Sequence, residues 1–249
     1  MIARGERLAH KPRVATYKPW QASMDEGWTR WVFDQYRIPF TRITARDIRA
    51  GHLSSRFDAI ILPEQSARQI ANGPFGQYPD SLKGGLGAPG AEALGKFVDD
   101  GGALIAFNDA SDYAISALSL PVKNELDGVR STDFYAPGSI LRVELDRSNP
   151  LSAGYTAPEQ AIWFEGSPAF SVTDRSRVSV VVRYSNDASV NPLISGWLLG
   201  GEKLAGKAAM VDVRRGKGHV VLFGFRPQYR AQTMATYPLL WNALRSPQR

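Results

Sequence analysis

Two segments of this chain, Asp58-Ala-Ile-Ile-Leu-Pro63 and Ala103-Leu-Ile-Ala-Phe107, are apolar without alternation and short. A strand exposed on one side would alternate apolar with polar residues. Unbroken apolar runs of this length suit strands in the middle of a sheet, covered on both faces. Their surroundings agree. Glu92 to Asp100 has the pattern of a helix stopped by Gly101-Gly102, where glycine takes the left-handed C-terminal conformation without steric cost. After Phe107 come a polar elbow and a second short helix, Ser111 to Leu118. Helix, glycine pair, buried strand, elbow and helix form the β-α alternation that favours a parallel sheet.

The same alternation starts earlier. Arg13-Val-Ala-Thr-Tyr17 reads as a first strand and Lys18-Pro19-Trp20 as the loop behind it. Ser23-Met-Asp-Glu26 is a capping-box pattern, a hydroxyl followed three residues later by a carboxylate. Trp28, Trp31, Val32 and Tyr36 then recur at helical spacing, which predicts a helix to about Tyr36, followed by a strand from Phe40 to Thr44. Asn72 to Gly90 is rich in glycine and proline and reads as a long loop over one edge. The second half is β-rich. Ser139 to Leu145, Ala161 to Phe164, Val178 to Tyr184 and Leu193 to Leu199 are strand-like, and Ala208 to Val213 and His219 to Phe225 flank a hairpin turn at Arg214-Arg-Gly-Lys-Gly218. Tyr237 to Leu244 closes the chain as a helix. No repeat or linker divides it, so one domain, residues 1–249, with a β-rich insertion is expected.

Composition removes several function classes. The chain has no cysteine, which excludes disulfides, thiolate nucleophiles and cysteine-held zinc. Its 30 Lys+Arg against 24 Asp+Glu give a net charge of +6, but the basic residues are scattered and form no stripe. No nucleic-acid partner is therefore expected. No stretch reaches the ~18 apolar residues of a membrane span. Residues 1–12 read as a basic, flexible tail, and over Met1 to Arg13 the charges Arg4, Arg7, Lys11 and Arg13 have no apolar core behind them, unlike a signal peptide. As written, the product is expected to stay in the cytoplasm.

Five segments, in order, carry a resemblance: Tyr17-Lys-Pro-Trp20, Met24-Asp-Glu-Gly-Trp28, Phe134-Tyr-Ala-Pro-Gly138, Trp163-Phe-Glu-Gly166 and Phe223-Gly-Phe-Arg-Pro227. From about Lys11 to Leu244 the chain resembles the C-terminal domain of some bacterial zinc carboxypeptidases of the carboxypeptidase A superfamily. The resemblance implies a class I glutamine amidotransferase-like fold, a flavodoxin-like three-layer α/β sandwich with a mostly parallel central sheet. It also implies that peptidase chemistry belongs to a separate zinc domain. If the natural protein is longer, that domain and an export signal are expected upstream, with a periplasmic or secreted location. A carboxypeptidase centre needs two histidines and a glutamate closing on one metal. The only histidines here are His10, His52 and His219, none in a His-x-x-Glu pattern, so neither metal nor cofactor is expected.

In a catalytic amidotransferase the nucleophilic cysteine sits on a tight elbow after a central strand, and its histidine comes later in the chain. The elbow-like segment here is Phe107-Asn-Asp-Ala-Ser-Asp112, without cysteine or flanking glycines. Ser111 can replace a thiol only with a base in hydrogen-bond reach; the alternative for Ser111 is a helix N-cap. What remains is a group of polar and aromatic residues expected at the C-terminal strand ends, where open α/β sheets bind ligands. Trp20, Gln21, Asp25 and Glu26 follow the first strand, and Glu64, Gln65 and Ser66 the third. Asn108, Asp109 and Asp112 follow the elbow strand. Arg226, Gln228, Tyr229 and Arg230 follow the last strand, and Trp163, Phe164 and Glu165 come from the insertion. Each has a structural alternative: Asp25 and Glu26 as helix caps, Arg226 as the partner of Glu64 or Asp109, Trp20 as a cover for the sheet edge.

Three functions compete. The first is a non-catalytic accessory or ligand-binding domain related to a carboxypeptidase-type hydrolase, with a small polar ligand, a sugar or a peptide end. The second is a serine esterase or amidase, with Ser111 (or Ser66) as nucleophile, His219 as base and Asp109 or Glu165 orienting it. The third is a protein-interaction module using an apolar patch at Phe75, Tyr78 and Leu82, with self-association into a homo-oligomer.

Overall fold

The computed structural model describes residues 11–79 and 82–246, so the predicted N-terminal tail lies almost wholly outside the described residues. The first half of the chain alternates as expected. It runs β1 (Val14–Tyr17), α1 (Met24–Gln35), β2 (Phe40–Ile43), α2 (Ala45–Arg49), α3 (Leu53–Arg56), β3 (Ala59–Leu62), α4 (Ala67–Asn72), α5 (Gly87–Asp99), β4 (Ala103–Phe107) and α6 (Ala110–Ala117). The second half holds β5 (Val122–Asn124), β6 (Ser139–Leu145), β7 (Glu159–Phe164), β8 (Phe170–Val172), β9 (Val178–Arg183), β10 (Leu193–Ser195), β11 (Ala208–Arg215), β12 (Gly218–Phe223) and α7 (Tyr237–Arg245).

Strands β2, β1, β3, β4 and β12 pair in that order, all parallel. The β11–β12 hairpin then turns the sheet antiparallel, and it continues through β9 to β6 and β7. The β-rich second half thus prolongs the sheet instead of forming a layer of its own. Alternate residues of the parallel strands feed two cores. Val14, Ile61, Ile105 and Val221 pack with Val32 and Phe33 of α1 and Leu240 and Leu244 of α7. Ala15, Ile60, Leu104 and Val220 pack with Ile48, Ile70, Leu94, Phe97 and Ala114 from α2 and α4 to α6. Helix, sheet, helix make the three layers of the expected α/β sandwich. Among the described residues, no helix is long and apolar enough to cross a membrane.

Three local readings change. Helix α5 begins at Gly87 instead of Glu92, because Pro89 lies in its first turn, where its missing N–H costs nothing. The glycine-rich loop before it closes by backbone contact: a Cβ on Gly85 would lie 2.5 Å from Gly73 N, so neither strand of that contact tolerates a side chain. Helix α1 buries Asp25, Thr29, Val32 and Phe33, whereas Trp31 and Tyr36 stay 48% and 50% exposed. The predicted aromatic stripe is therefore mostly outside, with Tyr36 against Tyr237 and Trp241 of α7. Polar Asp25 and Thr29 face inward because that end of the helix meets polar groups at the sheet edge.

Candidate functional site

Parallel pairing in register brings the strand ends Tyr17, Leu62, Phe107 and Phe223 to one edge. The loops behind them, with the end of β7, meet at Arg226. Its guanidinium is nearly buried and touches three carboxylates: Glu165 Oε2 from Nη1 at 2.5 Å, Asp25 Oδ2 from Nε at 3.4 Å and Glu64 Oε1 from Nη2 at 3.7 Å. Each comes from a different element. Asp25 is in the first turn of α1, whose N-cap Ser23 accepts the Glu26 N–H, and the same hydroxyl donates to Glu64 O and so fastens the loop after β3. The expected reciprocal bond from Glu26 is replaced by ion pairs to Arg30 and Arg42, which take Glu26 out of the cluster.

The elbow after β4 completes the edge. Asn108 is buried with φ +50°, a left-handed conformation that asparagine tolerates better than most residues. Its Nδ2 donates to Asp109 Oδ1 at 3.1 Å. Burial, with the nearby Glu64 and Asp112 and against the pull of Arg226, pushes the Asp109 carboxyl up to about 7. Burial likewise pushes Asp25 up to about 6, with Arg226 opposing and Glu64 and Glu165 assisting. Asp112 rises to about 6, chiefly through burial, against the hydrogen bonds it accepts from Asn124. Gln228 closes the floor, its Nε2 donating to Thr29 Oγ1 at 3.0 Å and to Asp25 Oδ1 at 3.3 Å. Trp163 donates to Glu165 Oε2 and stacks on Tyr229 at 4.3 Å.

The structure therefore brings together Asp25, Glu64, Asn108, Asp109, Asp112, Trp163, Glu165 and Arg226. Other predicted residues stand apart. Trp20 lies under the Lys18 ammonium, and exposed Arg230 lies over the ring of Tyr229. Gln65 is buried with Oε1 unpartnered. Ser66 caps α4, and Gln21 accepts from Gln69. In the long loop Phe75 is exposed beside Arg68, with Tyr78 and Leu82 half-buried. Thr29, missed in the sequence because it reads as an ordinary helix position, supports Gln228.

Ser111 and His219 are not brought together. Ser111 is fully buried in the first turn of α6, which Asp109 rather than Ser111 precedes, and its hydroxyl donates to Phe223 O at 3.2 Å. His219 pairs in register with Ala103 at the start of β4, whereas Ser111 follows its end. The length of the strand separates them. His219 instead meets Asp212 Oδ1 through Nδ1 at 2.6 Å and Ser246 Oγ through Nε2 at 2.9 Å. Ser246 caps the C-terminus of α7 and donates to Ala243 O, among carbonyls that oppose an oxyanion rather than stabilise one.

No family model matches the chain, and no curated protein matches it. Solved structures do. A candidate ThuA-like protein from Bacteroides uniformis superposes with a TM-score of 0.52 at 13% identity, over 97% of this chain and 93% of that one. A candidate GMP synthase subunit from Thermoplasma acidophilum gives 0.55 at 9% identity, over 94% of each chain. A chain of PurLQS from Thermotoga maritima gives 0.56 at 15% identity, over 94% of this chain and 98% of that one. The fold is that of the class I glutamine amidotransferase-like proteins, and the likeness at these identities is one of fold.

Proposed function

We propose that this amidotransferase-like chain is a non-catalytic ligand-binding domain, an accessory to a carboxypeptidase-type hydrolase, and that its site is the strand edge around Arg226. The observation that carries the reading is a pair of buried amide oxygens without partners there, Asn108 Oδ1 and Gln228 Oε1, beside an Asp25 Oδ2–Arg226 Nε ion pair that at 3.4 Å is not a formed hydrogen bond. A buried polar atom left unpaired costs about 1–3 kcal/mol, so folded chains keep few of them, and neighbouring ones call for an explanation such as a bound ligand. Binding rather than turnover is supported by the residues at the elbow. Asn108 offers an amide, a poor nucleophile, and the Ser111 hydroxyl is spent on a backbone carbonyl. The accessory role rests on the resemblance of the five sequence segments.

The test is a ligand-observed NMR screen of the full chain against neutral sugars, amino sugars and short peptides, with p-nitrophenyl esters and amides assayed in parallel. The reading expects at least one compound that binds the native chain and loses contact in a Glu165→Gln, Glu64→Gln double variant. Steady turnover abolished by Ser111→Ala, or a bound compound indifferent to the double variant, would overturn it.

A further inference from the structure

We infer that the ligand of this edge presents an ammonium group, as an amino sugar or the amino end of a peptide does, to the carboxylates of Asp25, Glu64 and Asp109. The inference rests on the ligand-binding reading above and narrows it to a chemical class. Two independent features of the site lead there.

The first is charge. Four carboxylates, Asp25, Glu64, Asp109 and Glu165, gather at one guanidinium, and Asp112 stands beside them as a fifth. The neighbouring cations are turned to other work, Lys18 over Trp20 and Arg230 over Tyr229. Arg226 itself is engaged with three carboxylates, which leaves it no face for a ligand carboxylate. Buried charge of one sign is tolerated only when it is paired or neutralised. The cluster resists carrying its full charge: burial pushes Asp109 up to about 7 and Asp25 up to about 6.

The second is the balance of donors and acceptors. At this edge the buried amide oxygens Asn108 Oδ1 and Gln228 Oε1 accept and have no partner, and Asp25 Oδ2 has only its 3.4 Å ion pair with Arg226 Nε. The amide orientations follow from their neighbours: Asn108 Nδ2 faces the Asp109 carboxylate, and Gln228 Nε2 faces Asp25 O and Asp25 Oδ1. Asn108 is 1% exposed, and its side-chain amide lies in the cluster, against Asp109. The site is thus short of N–H donors, and an ammonium supplies three. A metal ion fits less well, since no three of the acidic or histidine side chains among the described residues converge closely enough to hold one. An ammonium nitrogen holds its acceptors at about 2.7–2.9 Å, farther out than the roughly 2.0–2.6 Å of a hard metal ion, so it suits a looser ring of oxygens.

The experiment compares probes that differ only in charge, titrated into the full chain at pH 7: glucosamine with N-acetylglucosamine, and glycylglycine amide with its N-acetyl derivative. Acetylation is expected to weaken binding about tenfold or more in one pair, the worth of a charge-assisted hydrogen bond, and that pair identifies the source of the ammonium. In Glu64→Gln, on the half-buried side of the cluster, the gap between the two members should shrink. If the acetylated members bind as tightly as the amines, the ammonium inference falls while ligand binding stands. If none of the four probes binds but a neutral sugar does, it falls in the same way. If no compound of any class binds the folded chain, the ligand-binding reading falls and takes the inference with it.

Discussion

Replacing Arg226 with methionine keeps much of the side chain's apolar stem and removes the charge, and its cost is expected to depend on pH in a calculable way. Asp25 is 2% exposed at its side chain and loses its guanidinium neighbour. It then has two choices, to stay charged without a partner or to take a proton. The proton caps the penalty. With Asp25 titrating at about 6 in the native chain, protonating it costs about 1.4 kcal/mol for each pH unit above 6 and nothing below. Asp109, which Arg226 also holds down, adds the same slope above about 7. The lost bond to Glu165 contributes only about 1 kcal/mol, because that carboxylate is 38% exposed and solvent screens it. The destabilisation should therefore grow from roughly 1 kcal/mol at pH 5 to roughly 5 kcal/mol at pH 8. Urea unfolding of both proteins across that range measures it. A cost that is the same at pH 5 and pH 8 would refute the reasoning, since it would mean that no carboxyl at the edge takes up a proton when Arg226 is gone.

The native chain itself should lose stability as pH rises from 5 to 8. The folded-state pKa values of Asp25, Asp109 and Asp112 lie above their unfolded values, so their contribution is fully present below about 4 and is lost through 6 to 7. Asp47 and Glu125, held low by hydrogen bonds, act in the opposite sense and lose their contribution as pH falls below about 4. A melting temperature that rises from pH 5 to pH 8 would count against this assignment. Ser111→Ala should cost about 1 kcal/mol in urea unfolding, the worth of an ordinary hydrogen bond, and leave ligand binding unchanged; a loss of binding would show that Ser111 belongs to the site. At the elbow, Asn108→Gly should be more stable than Asn108→Ala by about 1 kcal/mol, because alanine bears the strain of φ +50° and glycine does not. Both should bind ligand more weakly than the native chain, as neither retains the amide against Asp109.

The sheet edge was legible in the sequence because strand ends are easy to find. Pro63 and the polar elbow after Phe107 mark where apolar runs stop, and in a parallel sheet those stops share an edge. This is why Asp25, Glu64, Asn108, Asp109 and Arg226, far apart in the chain, could be placed together. The same rule argues against pairing Ser111 with His219. A residue that opens a parallel strand cannot meet one that follows the end of its neighbour. Glu26 was harder, since residues 25 and 26 look alike in sequence. A helix turns about 100° per residue, so one of them faces Arg226 and the other Arg42. The buried side of α1 was hidden for a related reason. The large aromatic residues suggested the core, whereas burial at that end follows Asp25 and Thr29, whose partner Gln228 lies at the other end of the chain. The serine and aspartate that flank His219 gave no signal, because only the antiparallel hairpin and the packing of α7 bring them to it.

The pairing of β4 with β12 has a consequence for how the chain is made. Residues Ala103 to Phe107 emerge from the ribosome long before His219 to Phe223, the strand that covers one of their edges. Until then β4 is an open edge, apolar on both faces, the kind of segment that recruits strands from other molecules. A nascent chain stalled before Gly218 would present that template, so interrupted synthesis exposes an edge that the finished fold covers. Folding waits on one late hairpin, and contacts this distant in sequence form slowly.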